Sequence, residues 1–411
     1  MQSPQALLGL VVFPLLAWVL GTRRTAVQPR RLVIGVVVQL ALAVVLLRLP
    51  GVDTVLLALN QVVVVLEQAT AAGAQFMFGY LSGGDLPFEE RTPGGAFIVA
   101  FRVLPLVLVV SALSALLNHV GVIPAIIRLL AKGVQKVFHT SGPLAFGAAS
   151  SVFFGIIEGP VLIRPYLAAL TSAELFALMV CGMSTVAGTV MVLYASIVEP
   201  VMPGALGLIL VASLLSVPAA LTMAHAMMPG DSTRTHIPTP ERTDAGPVDA
   251  LMRGTTEGTR MVIDIAATIV VLFALVHLVN LGLALLPTHT PVTIQALVGM
   301  VFVPLVWLAG VPWEDAWPAA ELMGTKTVLN EFVAYTDLAS GAGQALQPHT
   351  RRVLTTAMCG FANLGSLGIL VGGLGAVLPE RRGELASLAG RSVVAGTLAT
   401  LLTGAVVALV G

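Results

Sequence analysis

Charge is what this sequence has least of. Lys plus Arg and Asp plus Glu number 21 each, 10% of the 411 residues, where soluble chains carry about 25%. The two signs cancel and no basic stripe stands out, so a nucleic-acid partner has no electrostatic footprint here. Cysteine is nearly absent. Cys181 and Cys359 both lie in apolar runs without metal-ligand spacing, which excludes a disulfide framework and a zinc site and leaves two small buried hydrophobes. The seven histidines are scattered and form no HExxH. Only His277 falls deep in an apolar run, where a hydrogen-bonding role is expected rather than a catalytic one. Without a nucleophile–base set, an intramembrane enzyme is not expected.

What is present is apolar. The chain is 57% hydrophobic with a mean hydropathy of +0.95, more than a water-soluble core can absorb, so its bulk solvent is lipid. Glycine (41) and proline (25) are frequent, as membrane helices allow when neighbours re-satisfy freed backbone groups. Crossing about 30 Å of hydrocarbon takes about 20 apolar residues. Eight such runs are predicted, near 4–21, 32–49, 96–118, 174–198, 203–225, 262–286, 353–378 and 388–410. The opening Met1-Gln2-Ser3-Pro4 lacks the basic region of a cleaved leader, so the first run is expected to be retained.

Between these runs lie segments of other kinds. Residues 54–82 form a helical run placed at the interface, as is 292–310. Residues 121–138, with Arg128, Lys132 and Lys136, form an amphipathic surface helix. Residues 142–170 and 312–340 are interrupted by Gly, Pro and carboxylates and suit re-entrant hairpins. Residues 229–260, from Met228-Pro229-Gly230 through Pro238-Thr239-Pro240, form a soluble linker. Arg23, Arg24, Arg30 and Arg31 place the first loop inside, as do Arg381, Arg382 and Arg391 for the last; Asp85, Glu89 and Glu90 suit an outer loop. Arg351 and Arg352 fall on the outer side and conflict with this scheme.

The hairpins look like relatives. Gly155-Ile156-Ile157-Glu158-Gly159-Pro160 answers Asn330-Glu331-Phe332-Val333-Ala334-Tyr335, and Cys181-Gly182-Met183 answers Cys359-Gly360-Phe361. The carboxylates are 331 − 158 = 173 residues apart and the cysteines 359 − 181 = 178, as a duplicated unit with small insertions requires. With the charge bias, the copies are inverted, the architecture of secondary transporters. The expected fold is an all-α polytopic membrane protein of about eight transmembrane helices, two re-entrant hairpins in inverted repeats, and interfacial helices. Its divisions are 1–120 (scaffold spans), 121–225 (first repeat), 226–260 (cytoplasmic linker), 261–311 (a scaffold span and an interfacial helix) and 312–411 (second repeat).

Glu158 and Glu331 are the informative residues. An acidic side chain at a membrane-helix centre costs about 2.5–3.5 kcal/mol, so two in matched positions argue for a polar cavity; the bland alternative puts both at wet hairpin ends. Asn363 and Ser366, at i and i+3, share a helix face. They suit sugar hydroxyls or, equally, a neighbouring helix. Ser184, Thr185 and Thr189 suit a hard cation or bonds to their own i−4 carbonyls. Lys326 either pairs with a carboxylate or snorkels to the interface.

At Gly324-Thr325-Lys326-Thr327-Val328-Leu329-Asn330-Glu331-Phe332-Val333-Ala334-Tyr335 the chain strongly resembles the concentrative nucleoside transporter family, whose signature is Gly-x-Lys, three residues, then Asn-Glu-Phe-Val-Ala and an aromatic. Gly95-Ala96-Phe97 through Phe101-Arg102-Val103-Leu104-Pro105, the Glu158, Pro160 and Arg164-Pro165-Tyr166 set, and Cys359-Gly360-Phe361-Ala362-Asn363 extend the resemblance over nearly the whole chain, in the short eight-span bacterial form. The resemblance implies a cation-coupled nucleoside symporter of the bacterial inner membrane. It implies a homotrimer whose transport part moves like an elevator, with sodium or a proton as coupling ion and no other cofactor. It implies that Asn330, Glu331, Asn363 and Ser366 hold the ribose, and that Glu158 with Gly155, Ile156, Ile157, Val190 and Phe361 faces the base. Two departures stand out. Ile156 and Ile157 replace an amide and a hydroxyl that contact the base, so base recognition differs and a modified nucleoside or other ribose-like solute is an alternative substrate. The family's sodium site matches at the Phe154 and Val186 carbonyls and the Thr185 hydroxyl, but has Ser151 in place of Asn, which keeps proton coupling open. Gly365 also replaces a common Ser.

Overall fold

The computed structural model describes residues 3–90, 96–238, 244–285 and 292–411, and within these it is helical with no strand. Gly95, Thr239, Pro240 and His289 lie outside the described residues. The chain opens with α1 (Gln5–Val19), α2 (Pro29–Arg48), α3 (Val52–Phe78), the short turn α4 (Val99–Arg102) and α5 (Pro105–His119). Next come α6 (Val122–Phe138), α7 (Gly142–Ser150), the single turns α8 (Glu158–Val161) and α9 (Arg164–Leu167), α10 (Ser172–Ser184), α11 (Gly188–Val198) and α12 (Ala205–Met227). After the long α13 (Pro247–Leu283) follow α14 (Ile294–Leu308), α15 (Trp313–Val328), α16 (Glu331–Ala339), α17 (Pro348–Ala357), α18 (Leu364–Val377) and α19 (Arg382–Val410).

The helix order repeats. Starting at α6 and again at α14, an amphipathic or apolar helix precedes a buried arm, a turn bearing an acid, a helix that breaks and resumes, and a long closing helix. The second set starts 294 − 122 = 172 residues after the first, and its resumed helix 364 − 188 = 176 residues after the first's. The offset inferred from the two carboxylates and two cysteines therefore extends along whole elements.

Several boundaries differ from the sequence expectation, for physical reasons. The apolar runs 174–198 and 353–378 are each two helices, broken at 185–187 and 358–363. Hydropathy does not sense a backbone break. The breaks face each other: a Cβ on Gly360 would come within 2.9 Å of the Met183 carbonyl oxygen. The run 54–82 holds a 27-residue helix that meets the length and hydropathy of a span, whereas 4–21, 292–310 and the α18 half of 353–378 give helices shorter than that. The linker is shorter than 226–260, because α13 starts at Pro247, whose ring is tolerated at the first helical turn.

The core gathers on α10, α12 and α19, whose apolar windows are mostly buried, while α2, α3 and α13 keep apolar side chains exposed. Exposed apolar faces of this kind are compatible only with lipid or another chain. Cys181 and Cys359 are free and fully buried, and the Cys359 thiol reaches the Ile209 carbonyl at 3.6 Å. His277 is exposed on α13. Polar side chains join the core helices, as they do in membranes: Gln39 Nε2 donates to Thr403 Oγ1 at 3.0 Å, and Thr403 lies 3.2 Å from Ser216 Oγ. Helix α13 is held to α5 by small residues. Gly254 and Gly258, one turn apart, let α5 approach so closely that Ser111 Oγ donates to the Gly254 carbonyl at 2.8 Å.

Where the linker rejoins α13, Arg253 donates to both Asp244 oxygens, at 2.6 and 3.0 Å, and His119 approaches at 3.8 Å. The guanidinium bonds hold the Asp244 carboxyl below its usual range. A depressed carboxyl adds stability above its unfolded value, near 3.8, and loses it as pH falls through the folded value. The clasp therefore stays closed at neutral and mildly acidic pH and opens only in stronger acid. Asp244→Asn is expected to speed protease cleavage between residues 229 and 246 several-fold at pH 7; an unchanged cleavage rate would show that the clasp does not hold the linker.

Candidate functional site

Four helix segments build the site, two from each repeat. In the second repeat, the polypeptide leaves α15, turns at Leu329 and Asn330, and restarts as α16. Asn330 caps that helix, its Oδ1 accepting from the Val333 amide at 3.0 Å. The cap sets Glu331 at the first helical position, where a carboxylate is favoured by the unpaired amides and the helix dipole. Asn363 does the same for α18, its Oδ1 accepting from the Ser366 amide at 2.8 Å. The i, i+3 pairing of Asn363 and Ser366 is thus a helix cap, and it leaves the Asn363 amide NH2 free to act elsewhere.

It acts on Glu331. Asn363 Nδ2 donates to Glu331 Oε2 at 2.8 Å, and Tyr194 Oη donates to Oε1 at 2.6 Å. Glu331 is 4% exposed. Such a carboxylate is retained in a membrane core only if its oxygens are bonded, and here each oxygen has a donor. Tyr194 comes from α11 of the first repeat. Its ring lies 5.0 Å from that of Tyr335, tilted by 38°, and Tyr335 Oη donates to the Thr355 carbonyl at 2.8 Å. The sequence reading missed Tyr194, because an aromatic in an apolar helix looks like packing. The available signal was its place one turn after Val190, on the same face.

Lys326 is fully buried on α15, and its Nζ has no hydrogen-bond partner among the described residues. Neither alternative for it is met: no carboxylate pairs with its Nζ among the described residues, and burial excludes snorkelling.

In the first repeat, the Ser150 carbonyl accepts from the Phe153 and Phe154 amides at 3.0 and 2.9 Å, which ends α7 in a tight turn. The turn leans on the first helix break, with the Gly188 amide donating to the Phe153 carbonyl at 3.0 Å. Glu158 opens α8 and is exposed, its carboxylate curled over Gly155 so closely that a Cβ there would sit 2.3 Å from Oε2. No hydrogen bond links Glu158 to the Glu331 network among the described residues; the acid that bears on it is Glu257 of α13. Ile156 is buried against Gly182, and Ile157 covers Gly373 of α18, where a Cβ would lie 2.0 Å from Ile157 Cδ1. Val190 is buried and Phe361 half-buried. The structure therefore brings Glu331, Asn363, Ser366 and Tyr194 together and keeps Glu158 outside that network.

The cation-site candidates lie between the first turn and the first break. Ser151 and Thr185 are buried, and their hydroxyl hydrogens go to their own helices, to the Ala148 carbonyl at 2.8 Å and the Cys181 carbonyl at 2.9 Å. Ser184 likewise donates to the Val180 carbonyl at 2.7 Å, and Thr189 reaches Met261 Sδ at 3.7 Å. With their protons turned away, the Ser151 and Thr185 oxygens keep lone pairs. The Phe154 and Val186 carbonyls accept no hydrogen bond from the described residues. Oxygen donors of this kind fit a hard cation.

Comparison with known proteins bears on this arrangement. A family model described as the C-terminus of Na+-dependent nucleoside transporters matches residues 208–408, its N-terminal counterpart matches 8–81, and a nucleoside-recognition gate model matches 100–201. The chain is 33% identical to the uncharacterized transporter YutK of Bacillus subtilis, over 97% of both chains. It is 30% identical to the nucleoside permease NupC of Helicobacter pylori, over 98% of this chain and 97% of that protein. Human solute carrier family 28 member 3 is 31% identical over 97% of this chain, which spans 58% of that longer protein. Among solved structures, CNTnw in an inward-facing substrate-bound state superposes with a TM-score of 0.89 at 33% identity, over 99% of both chains.

Proposed function

Because this chain belongs to the concentrative nucleoside transporter family and is a polytopic membrane transporter rather than an enzyme, we propose that it is a cation-coupled nucleoside symporter that takes up its substrate against a gradient. The observation that carries this reading is the buried Glu331 carboxylate held by Tyr194 and Asn363. A ribose offers hydroxyls that donate to such a carboxylate and accept from an amide. Asn330 and Asn363 serve the sugar end as caps that fix the two helix starts, and Ser366 gives the amide that Asn363 Oδ1 holds.

The base end is apolar on its near side. Ile156 and Ile157 pack against Gly182 and Gly373 and offer no hydrogen bond to a base. Glu158, with Gly155, Val190 and Phe361, is left to meet it. A site that loses hydrogen-bond partners loses the discrimination based on them, so the base is selected more by shape than by its polar edge. A modified nucleoside or another ribose-bearing solute fits the same geometry, because the sugar end is unaltered.

Ser151, Thr185, Phe154 and Val186 would hold the coupling cation, a Na+ that screens the first turn and favours its closed packing on the helix break. Coupling requires that the cation favour the substrate-binding arrangement over the other. The transporter is read as a homotrimer in the bacterial inner membrane, with inverted repeats and an elevator-like motion of the two hairpins and the broken helices.

Uptake into proteoliposomes with imposed sodium or proton gradients, across a nucleoside panel, tests this. The expected result is accumulation of a ribonucleoside above equilibrium with the sodium gradient, lost in Thr185→Val. Accumulation with the proton gradient alone would assign coupling to protons. Flux that never exceeds equilibrium under either gradient would rule out symport.

A further inference from the structure

We propose that Tyr194 is a positioning residue for the sugar end of the site: its hydroxyl aims the Glu331 carboxylate so that two adjacent sugar hydroxyls can bind it at once. The inference rests on the reading that Glu331 binds the sugar.

The local geometry leaves Tyr194 little choice. It is 2% exposed on α11. Its ring lies against Tyr335, which is anchored through its own hydroxyl to the Thr355 carbonyl. The phenol has one hydrogen to give, and gives it to Glu331 Oε1 at 2.6 Å, the short distance of an O–H bonded to a carboxylate. The other oxygen is held by Asn363, whose Oδ1 is committed to the α18 cap. Glu331 is thus fixed from two directions, by one residue of each repeat. An ionised carboxylate oxygen accepts about two hydrogen bonds. Tyr194 and Asn363 take one position on each oxygen, and Glu331's own backbone amide also bonds the carboxylate, so its remaining acceptor capacity is small and its aim matters. A carboxylate has two oxygens at a spacing that a vicinal diol, with two hydroxyl donors on neighbouring carbons, can meet together. Without Tyr194 the carboxylate keeps one side-chain anchor and turns about it, so its oxygens are no longer aimed.

The test compares the best-transported ribonucleoside with its 2′,3′-dideoxy counterpart in the full-length transporter reconstituted in liposomes. Tyr194→Phe keeps the ring and its packing and removes only the hydroxyl. Its KM for the ribonucleoside is expected to rise about tenfold, as loss of a bond to a charged group predicts, with a smaller change in maximal rate. Its KM for the dideoxy compound should stay within about twofold, so the ribo-to-dideoxy preference falls about tenfold. A merely structural role would move both compounds alike. The preference is measured on one preparation, so poor accumulation cancels. Tyr194→Leu, which lacks ring and hydroxyl, should show the same loss of preference. An unchanged preference in both variants overturns the proposal. Glu331→Gln on the same pair separates the two ideas: normal sugar preference there removes the reading beneath, whereas loss of uptake there with a silent Tyr194→Phe overturns only the role of Tyr194.

Discussion

Glu331→Gln should lower the uptake efficiency for a ribonucleoside by at least about 100-fold while leaving the protein folded, because two charge-assisted bonds at about 1.5 kcal/mol each are removed and every 1.4 kcal/mol is tenfold. The fold survives for a specific reason. The glutamine carbonyl can accept from Asn363 Nδ2, and its NH2 can turn toward the Tyr194 oxygen, so neither neighbour is left unbonded. The sugar, however, meets a neutral amide with one acceptor atom in place of an anion with two. The measurement is labelled nucleoside uptake per molecule of reconstituted transporter, alongside its size-exclusion profile. Uptake within threefold of wild type would remove the sugar-binding role of Glu331 and the functional reading with it.

Gly254→Leu should cost the molecule its stability rather than its chemistry. A Cβ on Gly254 would lie 2.6 Å from Ala115 Cβ, 2.7 Å from the Ser111 carbonyl oxygen and 2.8 Å from Ala112 Cα. Two of these neighbours are backbone, so no rotamer change relieves the overlap, and α13 must move off α5 by about 1 Å to restore normal carbon contacts of about 3.5–4.0 Å. That separation also breaks the Ser111 bond to the Gly254 carbonyl. Overpacking by a few methylenes costs about 1–3 kcal/mol. With about 1 kcal/mol more for the lost hydrogen bond, the detergent-solubilised protein should melt about 2–5 °C lower. Gly282→Leu on the same helix is the control, since a Cβ there meets nothing within 4 Å. Equal melting of the two variants would mean that α13 does not pack on α5 through Gly254.

How much of this was legible in the sequence depends on the kind of signal. Glu331 and Asn363 stood out because a carboxylate and an amide in apolar surroundings violate the local pattern, and the duplicated spacing paired the two hairpins. Tyr194 did not stand out, since its ring satisfies the apolar pattern and only its hydroxyl, invisible to hydropathy, does the work. The breaks at 185–187 and 358–363 were hidden for a related reason: the side chains remain apolar while the backbone leaves the helix. The first turns of α13 misled in the opposite direction. Asp249, Arg253, Glu257 and Arg260 gave the segment a linker's polarity, although Asp249, Arg253 and Glu257 stand four residues apart, and Arg253 does bond Glu257 at 2.8 Å. The Gly254 and Gly258 pair was the better guide, because small residues one turn apart mark a helix that another helix must approach. For Glu158 the sequence pairing with Glu331 did not show that the two acids lie on separate hydrogen-bond networks among the described residues.

The two thiols have a practical consequence. Cys181 and Cys359 are sealed inside the molecule, at 0% exposure, so water-soluble maleimides have no native target on the folded protein. Reporter cysteines can then be added at exposed positions of the hairpin turns and of α13 without first deleting the natural pair, and a spectroscopic ruler between them would measure whether the distance between the two parts changes during transport in an otherwise unaltered protein.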